Sequence, residues 1–243
     1  FYGTIQSALF TLLAVYATSM NFTILEISIV TFLLAVSGAV AQFPVGKVSD
    51  IYDRRKVIVF STFGAAIFAI AAIFVSRQMY LPDGLATSKT WFYIFFILFS
   101  FCSLPMFSLI LAHTNDFISK DKFVAAGAGL QFAFGLGAMS GPFLCSIFMD
   151  LAGPNGFFVF LFIFHTFIGL FGIYRMKVRK SVDNPDSQFV AMPQTITPAG
   201  IELNPTTEHI EEPYSEKVKE ILERKGVKYK KEVDDDKIDE QAY

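Results

Sequence analysis

Five charged residues crowd into seven positions at Asp50, Asp53, Arg54, Arg55 and Lys56, preceded by Lys47 and by Gly46. The chemistry open to such a group is the making and breaking of ion pairs. Arg54 and Arg55 carry planar guanidinium forks that pair bidentately with carboxylates or meet helix-end carbonyls. Asp50 can face the positive end of a neighbouring helix or one of the arginines, and Asp53 offers either arginine an internal partner. Gly46 removes a side chain where a helix ends and another backbone can approach. A cluster of this kind can lock two groups of helices at one face and release them when they rock. The plainer alternative is a basic anchor at a membrane surface.

Other side chains qualify less readily for chemistry. No carboxylate falls near the centre of an apolar run: Glu26, Asp50, Asp116 and Asp150 all lie at ends. His165 is the one ionisable group deep in such a run, where a neutral, hydrogen-bonded imidazole competes with a proton relay. Asp116 closes the segment His113, Thr114, Asn115, Asp116 at a helix end whose carbonyls favour a cation, so it needs a partner: Asp116 or Asn115 is expected to engage the basic cluster or the loop beginning at Lys120 in one conformational state, with helix capping and loop solubility as the plainer alternative. The two cysteines, Cys102 and Cys145, offer neither a disulfide framework nor a CxxC metal site. No GxxxxGK[ST] loop, zinc constellation or buried catalytic pair is present, so neither enzymatic activity, a metal nor a cofactor is expected.

The elements that must carry these residues are membrane helices. Hydrophobic residues make up 53% of the chain and 29 of its 243 residues are Phe, more than a soluble domain carries. Six apolar runs at about 1–20, 25–45, 57–76, 91–113, 123–149 and 156–176 are each long enough, at roughly 1.5 Å per residue, to cross a hydrocarbon core of about 30 Å. Each must be helical, because an open strand edge would leave backbone groups unsatisfied in lipid. Placing residues 46–56 in the cytoplasm gathers ten basic residues there, with Lys120, Lys122, Arg175, Lys177, Arg179 and Lys180, and leaves only Arg77 and Lys89 opposite. Residues 1–177 are therefore expected as a six-helix transmembrane bundle, and 178–243 as a cytoplasmic tail. The tail holds fifteen acids against ten Lys and Arg, a Pro- and Thr-rich linker and a short helix near 215–225. The chain opens at Phe1 with no charged stretch of a secretory signal, as expected of a chain that begins mid-protein.

Gly-x-x-x-Asp followed by a basic pair, between the second and third spans, resembles the loop motif of the major facilitator superfamily. Ile51 stands where that motif has a basic residue and Asp53 where it has a small one. Gly135, Gly137, Ser140, Gly141 and Pro142 in the fifth span are similar to the family's Gly-Pro helix, and suit close packing and a hinge. Residues 42–46, 112–116, 174–176 and the tail stretch 189–205 look like the carboxy-terminal half of the bacterial YcaD-like branch. The resemblance implies an all-helical polytopic fold, one six-helix half of the whole, with a midplane site between two bundles. It further implies a secondary active transporter working by alternating access in the inner membrane. The cytoplasmic gating loop would be Gly46, Asp50, Asp53, Arg54, Arg55 and Asp116; Gly137, Gly141 and Pro142 would pack and hinge. Gln6, Gln131 and Tyr16 are the substrate-cavity candidates, on spans that the resemblance places inside. The implied partners are membrane lipid, the missing amino-terminal half and a small solute, hydrophobic or amphipathic given the aromatic, weakly charged spans. The aromatic residues imply no nucleic acid. Two other readings stand beside it: a transport-inactive scaffold or sensor that signals through its tail, and a half-size homodimeric transporter.

Overall fold

Apolar sequence that must satisfy its own backbone hydrogen bonds folds here into seven helices among the described residues. The computed structural model describes residues 1–78, 85–118 and 122–178. The turn expected at Pro82, Asp83 and Gly84, and the tail with its linker and short helix, lie outside the described residues. The helices run in order as α1 (Tyr2–Ser19), α2 (Ile24–Ile51), α3 (Arg54–Gln78), α4 (Leu85–Ser103), α5 (Met106–Asn115), α6 (Phe123–Ala152) and α7 (Gly156–Val178), within one compact unit.

Two departures from the expected spans have clear causes. The region 46–56 is not a loop: α2 continues through Pro44 to Ile51 and α3 starts at Arg54, leaving Tyr52 and Asp53 as the whole turn. Hydropathy ends at the membrane surface, but the backbone ladder does not, and charged residues can extend a helix into the headgroups. The expected span at 91–113 is broken into α4 and α5 at Leu104 and Pro105. Pro105 has no N–H to donate and so interrupts the ladder. At the break, the carbonyls of Ser103 and Leu104 accept from the Tyr2 hydroxyl of α1 at 3.1 and 3.2 Å, which helps make the break tolerable in an apolar interior. Five helical segments are long and apolar enough to span a membrane: α2, α3, the stretch Ser88–Asn115 that joins α4 and α5, α6 and α7. The more polar 18-residue α1, with Thr4, Gln6, Ser7 and Thr11, is not among them.

The core lies where α1, α3, α4 and α7 meet. Tyr16 is fully buried, its ring stacked on Phe92 and Phe157 and edge-on to Phe158 at centroid distances of 5.9, 5.2 and 5.0 Å. Phe92, Phe96 and Phe99 recur at helical spacing along α4, each edge-on to Phe158. On α3 the buried face is narrow, with Ala65, Ala69 and Ala72, so that α3 can lie close to the bulky rings of α4 and α7. His165 of α7 is fully buried against the break in α4: Nδ1 lies 2.8 Å from the Leu161 carbonyl and Nε2 2.9 Å from the Ser103 hydroxyl. A carbonyl can only accept, so Nδ1 carries the proton, and the neutral ring accepts from Ser103 at Nε2.

Glycines set the approach of α1 to α6. A Cβ at Gly141 would collide with Ser7 Oγ and the Thr4 carbonyl, and one at Gly3 with the Phe134 carbonyl. Gly137 sits against the Thr4 backbone, and Thr4 Oγ1 lies 3.4 Å from Ser140 Oγ across the contact. Pro142 follows directly on this contact, within an α6 that continues to Ala152.

Candidate functional site: a charged turn that joins three helices

The turn between α2 and α3 is built by local chemistry. Ser49 Oγ donates to the Gly46 carbonyl at 2.7 Å, and the buried Gly46 keeps the last turns of α2 narrow. Asp53 then begins α3: its Oδ1 accepts from the Arg55 backbone N–H at 3.0 Å, supplying an acceptor to an orphan donor of the helix start. The same carboxylate holds the Arg55 guanidinium side-on, with Nε 3.0 Å from Oδ1 and Nη2 2.7 Å from Oδ2.

Arg54 points the other way, into the protein. It is only 7% exposed, with Nη2 3.0 Å from Asp50 Oδ1 at the end of α2 and Nη1 3.5 Å from Asp116 Oδ1 at the end of α5. The second oxygen of Asp116 is 4.0 Å from His113 Nδ1. One guanidinium thus ties α2, α3 and α5 at a single end of the bundle. It also removes the conflict between the Asp116 charge and the negative end of α5. Beside it, Arg55, His113, Thr114, Phe117, Ile118 and Arg175 line a cavity of about 240 Å³, two of its walls cationic.

At the other end of α2 a second clamp is present that the sequence reading did not find. Thr23 and Glu26 form a reciprocal capping box, and Glu26 Oε1 lies 2.6 Å from Lys89 Nζ of α4. The signal was available in hindsight, since Lys89 is one of two bases assigned to that face and Glu26 begins the helix there. Both ends of α2 are therefore pinned by ion pairs to the broken α4–α5 span.

The remaining candidates are dispersed. Gln6 is 2% exposed, one helical turn past Tyr2, and neither its Nε2 nor its Oε1 has a hydrogen-bond partner among the described residues. Gln131 is half-buried on α6. Tyr16 belongs to the aromatic core described above rather than to a polar surface. Gly137 and Gly141 are brought onto Thr4 and Ser7, and Pro142 is the next residue of α6. Among the described residues no group of three His, Cys, Asp or Glu side chains could hold a metal ion, and both cysteines are free thiols.

Comparison with known proteins identifies the family. An uncharacterized MFS-type transporter of Yersinia enterocolitica, YE1530, is 23% identical over 190 residues, covering 78% of this chain and 44% of its own length. YfkF of Bacillus subtilis, another uncharacterized MFS-type transporter, is 26% identical over 165 residues, 66% of this chain and 38% of its own. A third, MJ1560 of Methanocaldococcus jannaschii, is 27% identical over 180 residues, 73% of this chain and 42% of its own. The chain thus spans less than half the length of the relatives it matches. No solved structure matches it. The family model of the Major Facilitator Superfamily matches residues 1–225, almost the whole chain. With its apolar helices and its charged turn between α2 and α3, the chain is a multi-pass membrane protein that belongs to the Major Facilitator Superfamily of transporters.

Proposed function

We propose that this chain is one half of a secondary active transporter that moves a small solute by alternating access, and that it is the carboxy-terminal half, of the YcaD-like branch. It then has six spans, with α1 as the first and α4–α5 as a single, broken fourth. The observation that carries this reading is Arg54, held between Asp50 and Asp116 so that α2, α3 and α5 are locked at one face by bonds that can be exchanged. Such a lock has two arrangements available, and alternating access needs an element of that kind. The coverage of less than half of each relative favours a partner bundle, and so does the exposed apolar face of α6.

In this reading the charged turn faces the cytoplasm, because the basic residues gather on its side, and the membrane is the inner, plasma membrane. Gln6 is the leading substrate contact, since an unpaired amide buried among apolar residues is costly unless a ligand or a second bundle satisfies it. Gln131 joins it from α6. The solute is hydrophobic or amphipathic, and the chain performs no covalent chemistry on it.

The test is uptake into proteoliposomes containing the chain together with its amino-terminal half, and separately the chain alone, screened over amphipathic and lipophilic solutes, with Asp116→Lys and Gln6→Leu in the assembled pair alongside. Solute accumulation that falls at least about ten-fold in Asp116→Lys, with the protein still folded, is expected; Gln6→Leu should raise KM more than it lowers kcat. Flux that is indifferent to Asp116→Lys would sink the gating role. No flux for any solute, together with partner binding through the tail, would favour a scaffold or sensor. Flux by the 243-residue chain alone, as a dimer, would replace the half-transporter by a half-size homodimer.

A further inference from the structure

A second feature of the charged turn lies on its outer side and takes no part in the lock. Val45 and Val48 of α2 and Val57 and Phe60 of α3 wall a groove of about 410 Å³, floored by Phe101 of α4. The walls are almost entirely apolar, and they are open to the surroundings: Phe60 is 79% exposed and Val48 43%. At the turn end of the groove stand Lys56 and Tyr52, both exposed.

The charge balance of the turn leaves Lys47 and Lys56 over, and of the two only Lys56 lines the groove. Asp50 and Asp116 are engaged by Arg54, and Asp53 by Arg55. No ion pair among the described residues engages Lys56. A strongly hydrated ammonium at the mouth of an apolar slot, at the level where a helix leaves the membrane, matches one kind of molecule in a bilayer. A soluble anion would make no use of the groove, and an uncharged apolar solute would make no use of the lysine. A neutral phospholipid would set a phosphate against Lys56 but bring its own cation with it.

We propose that this groove is a binding site for an anionic phospholipid, one acyl chain lying along Val45, Val48 and Phe60 and the phosphate at Lys56, with the Tyr52 hydroxyl within reach of the headgroup. The site requires only that the chain spans a membrane and is independent of the transport reading. Its occupancy would weld α2 to α3 at the turn, so that lipid charge bears on the same helices that Arg54 locks.

The experiment uses a single tryptophan in the groove. The chain has one Trp, so Phe60→Trp in a Trp91→Phe background gives a unique reporter. The protein is reconstituted into equal mixtures of phosphatidylcholine and phosphatidylglycerol, with brominated chains on one lipid at a time, and quenching is compared. Brominated phosphatidylglycerol is expected to quench as though enriched about five-fold at the reporter, the effect of one lysine near an anionic lipid. Lys56→Gln should bring the preference near unity and Lys56→Glu should invert it, whereas Lys177→Glu, at the end of α7, should leave it in place. Equal quenching by the two lipids in the protein that retains Lys56 would overturn the proposal. So would a preference that survives Lys56→Glu, or one that Lys177→Glu removes as fully, since each means bulk lipid attracted by net charge. The emission maximum of the introduced tryptophan in each variant reports whether the groove itself is intact.

Discussion

Arg54 is nearly buried and holds two carboxylates, so its loss would take from Asp50 and Asp116 the guanidinium that both face. Breaking a fully buried pair costs about 3–5 kcal/mol; with Asp50 a third exposed, Arg54→Ala should destabilise by about 2 kcal/mol, read as a fall in the midpoint of thermal unfolding in detergent. The cycle of Arg54→Ala and Asp116→Ala should be non-additive by about 1 kcal/mol, and additivity would mean that the two do not interact in solution. Arg55→Ala should cost less, about 1 kcal/mol or below, because its partner Asp53 lies two residues away at the same helix start and the pair ties no second element. That contrast follows a difference in what is legible. The pairing of Asp53 with a neighbouring arginine could be read from adjacency at a helix start. Which arginine took it, and that the other would reach across to α5, depended on the direction in which α3 leaves the turn.

Among the elements, the contact of α1 with α6 shows how much backbone approach depends on an absent side chain. Gly141 has the Thr4 carbonyl and Ser7 Oγ where its Cβ would be, whereas Gly129 of the same helix has nothing within 4 Å. Gly141→Ala should therefore destabilise by about 1–3 kcal/mol as α1 is pushed away. Gly129→Ala should stabilise by about 0.5–1 kcal/mol through helix propensity alone. Thermal unfolding of the pair checks both signs, and equal shifts would contradict the packing described. The small-residue cluster was visible in the sequence as a packing face, but its partner was not, because small residues report closeness without naming a neighbour. The split of the fourth span was hidden for a related reason. Pro105 sits in a continuous apolar run, and whether a proline bends or breaks a helix depends on what satisfies the carbonyls at the break, here a tyrosine from another helix.

For the whole molecule, the distribution of exposed apolar surface separates helices. Of the 30 residues of α6, only Phe123, Gly127, Gly141 and Cys145 are buried, and Phe132, Leu136, Met139 and Phe143 form an open stripe at helical spacing. Large apolar faces of this size have to meet lipid or protein. Under the half-transporter proposal the α6 stripe meets a second bundle, whereas Phe74 of α3, 62% exposed, meets lipid. Spin labels at Met139→Cys and Phe74→Cys in the membrane-assembled protein should differ several-fold in accessibility to oxygen dissolved in the bilayer, with the label at 139 the more shielded. Equal accessibility would place α6 against lipid and remove this support for a partner.

Hydropathy and charge spacing alone determined that the chain crosses a membrane repeatedly as helices, because a bilayer punishes any unpaired backbone group and so narrows the choice of structure. They also located the charged turn, since charges in such a chain collect where apolar runs stop. Tertiary structure decided the rest: that Arg54 rather than Arg55 ties three helices together, that Glu26 and Lys89 clamp the opposite end, and that Tyr16 lies among phenylalanines while Gln6 is left with an unpaired amide. Those outcomes depend on the rotation of each helix about its own axis. A uniformly apolar helix shows little periodicity in its sequence from which that rotation could be read.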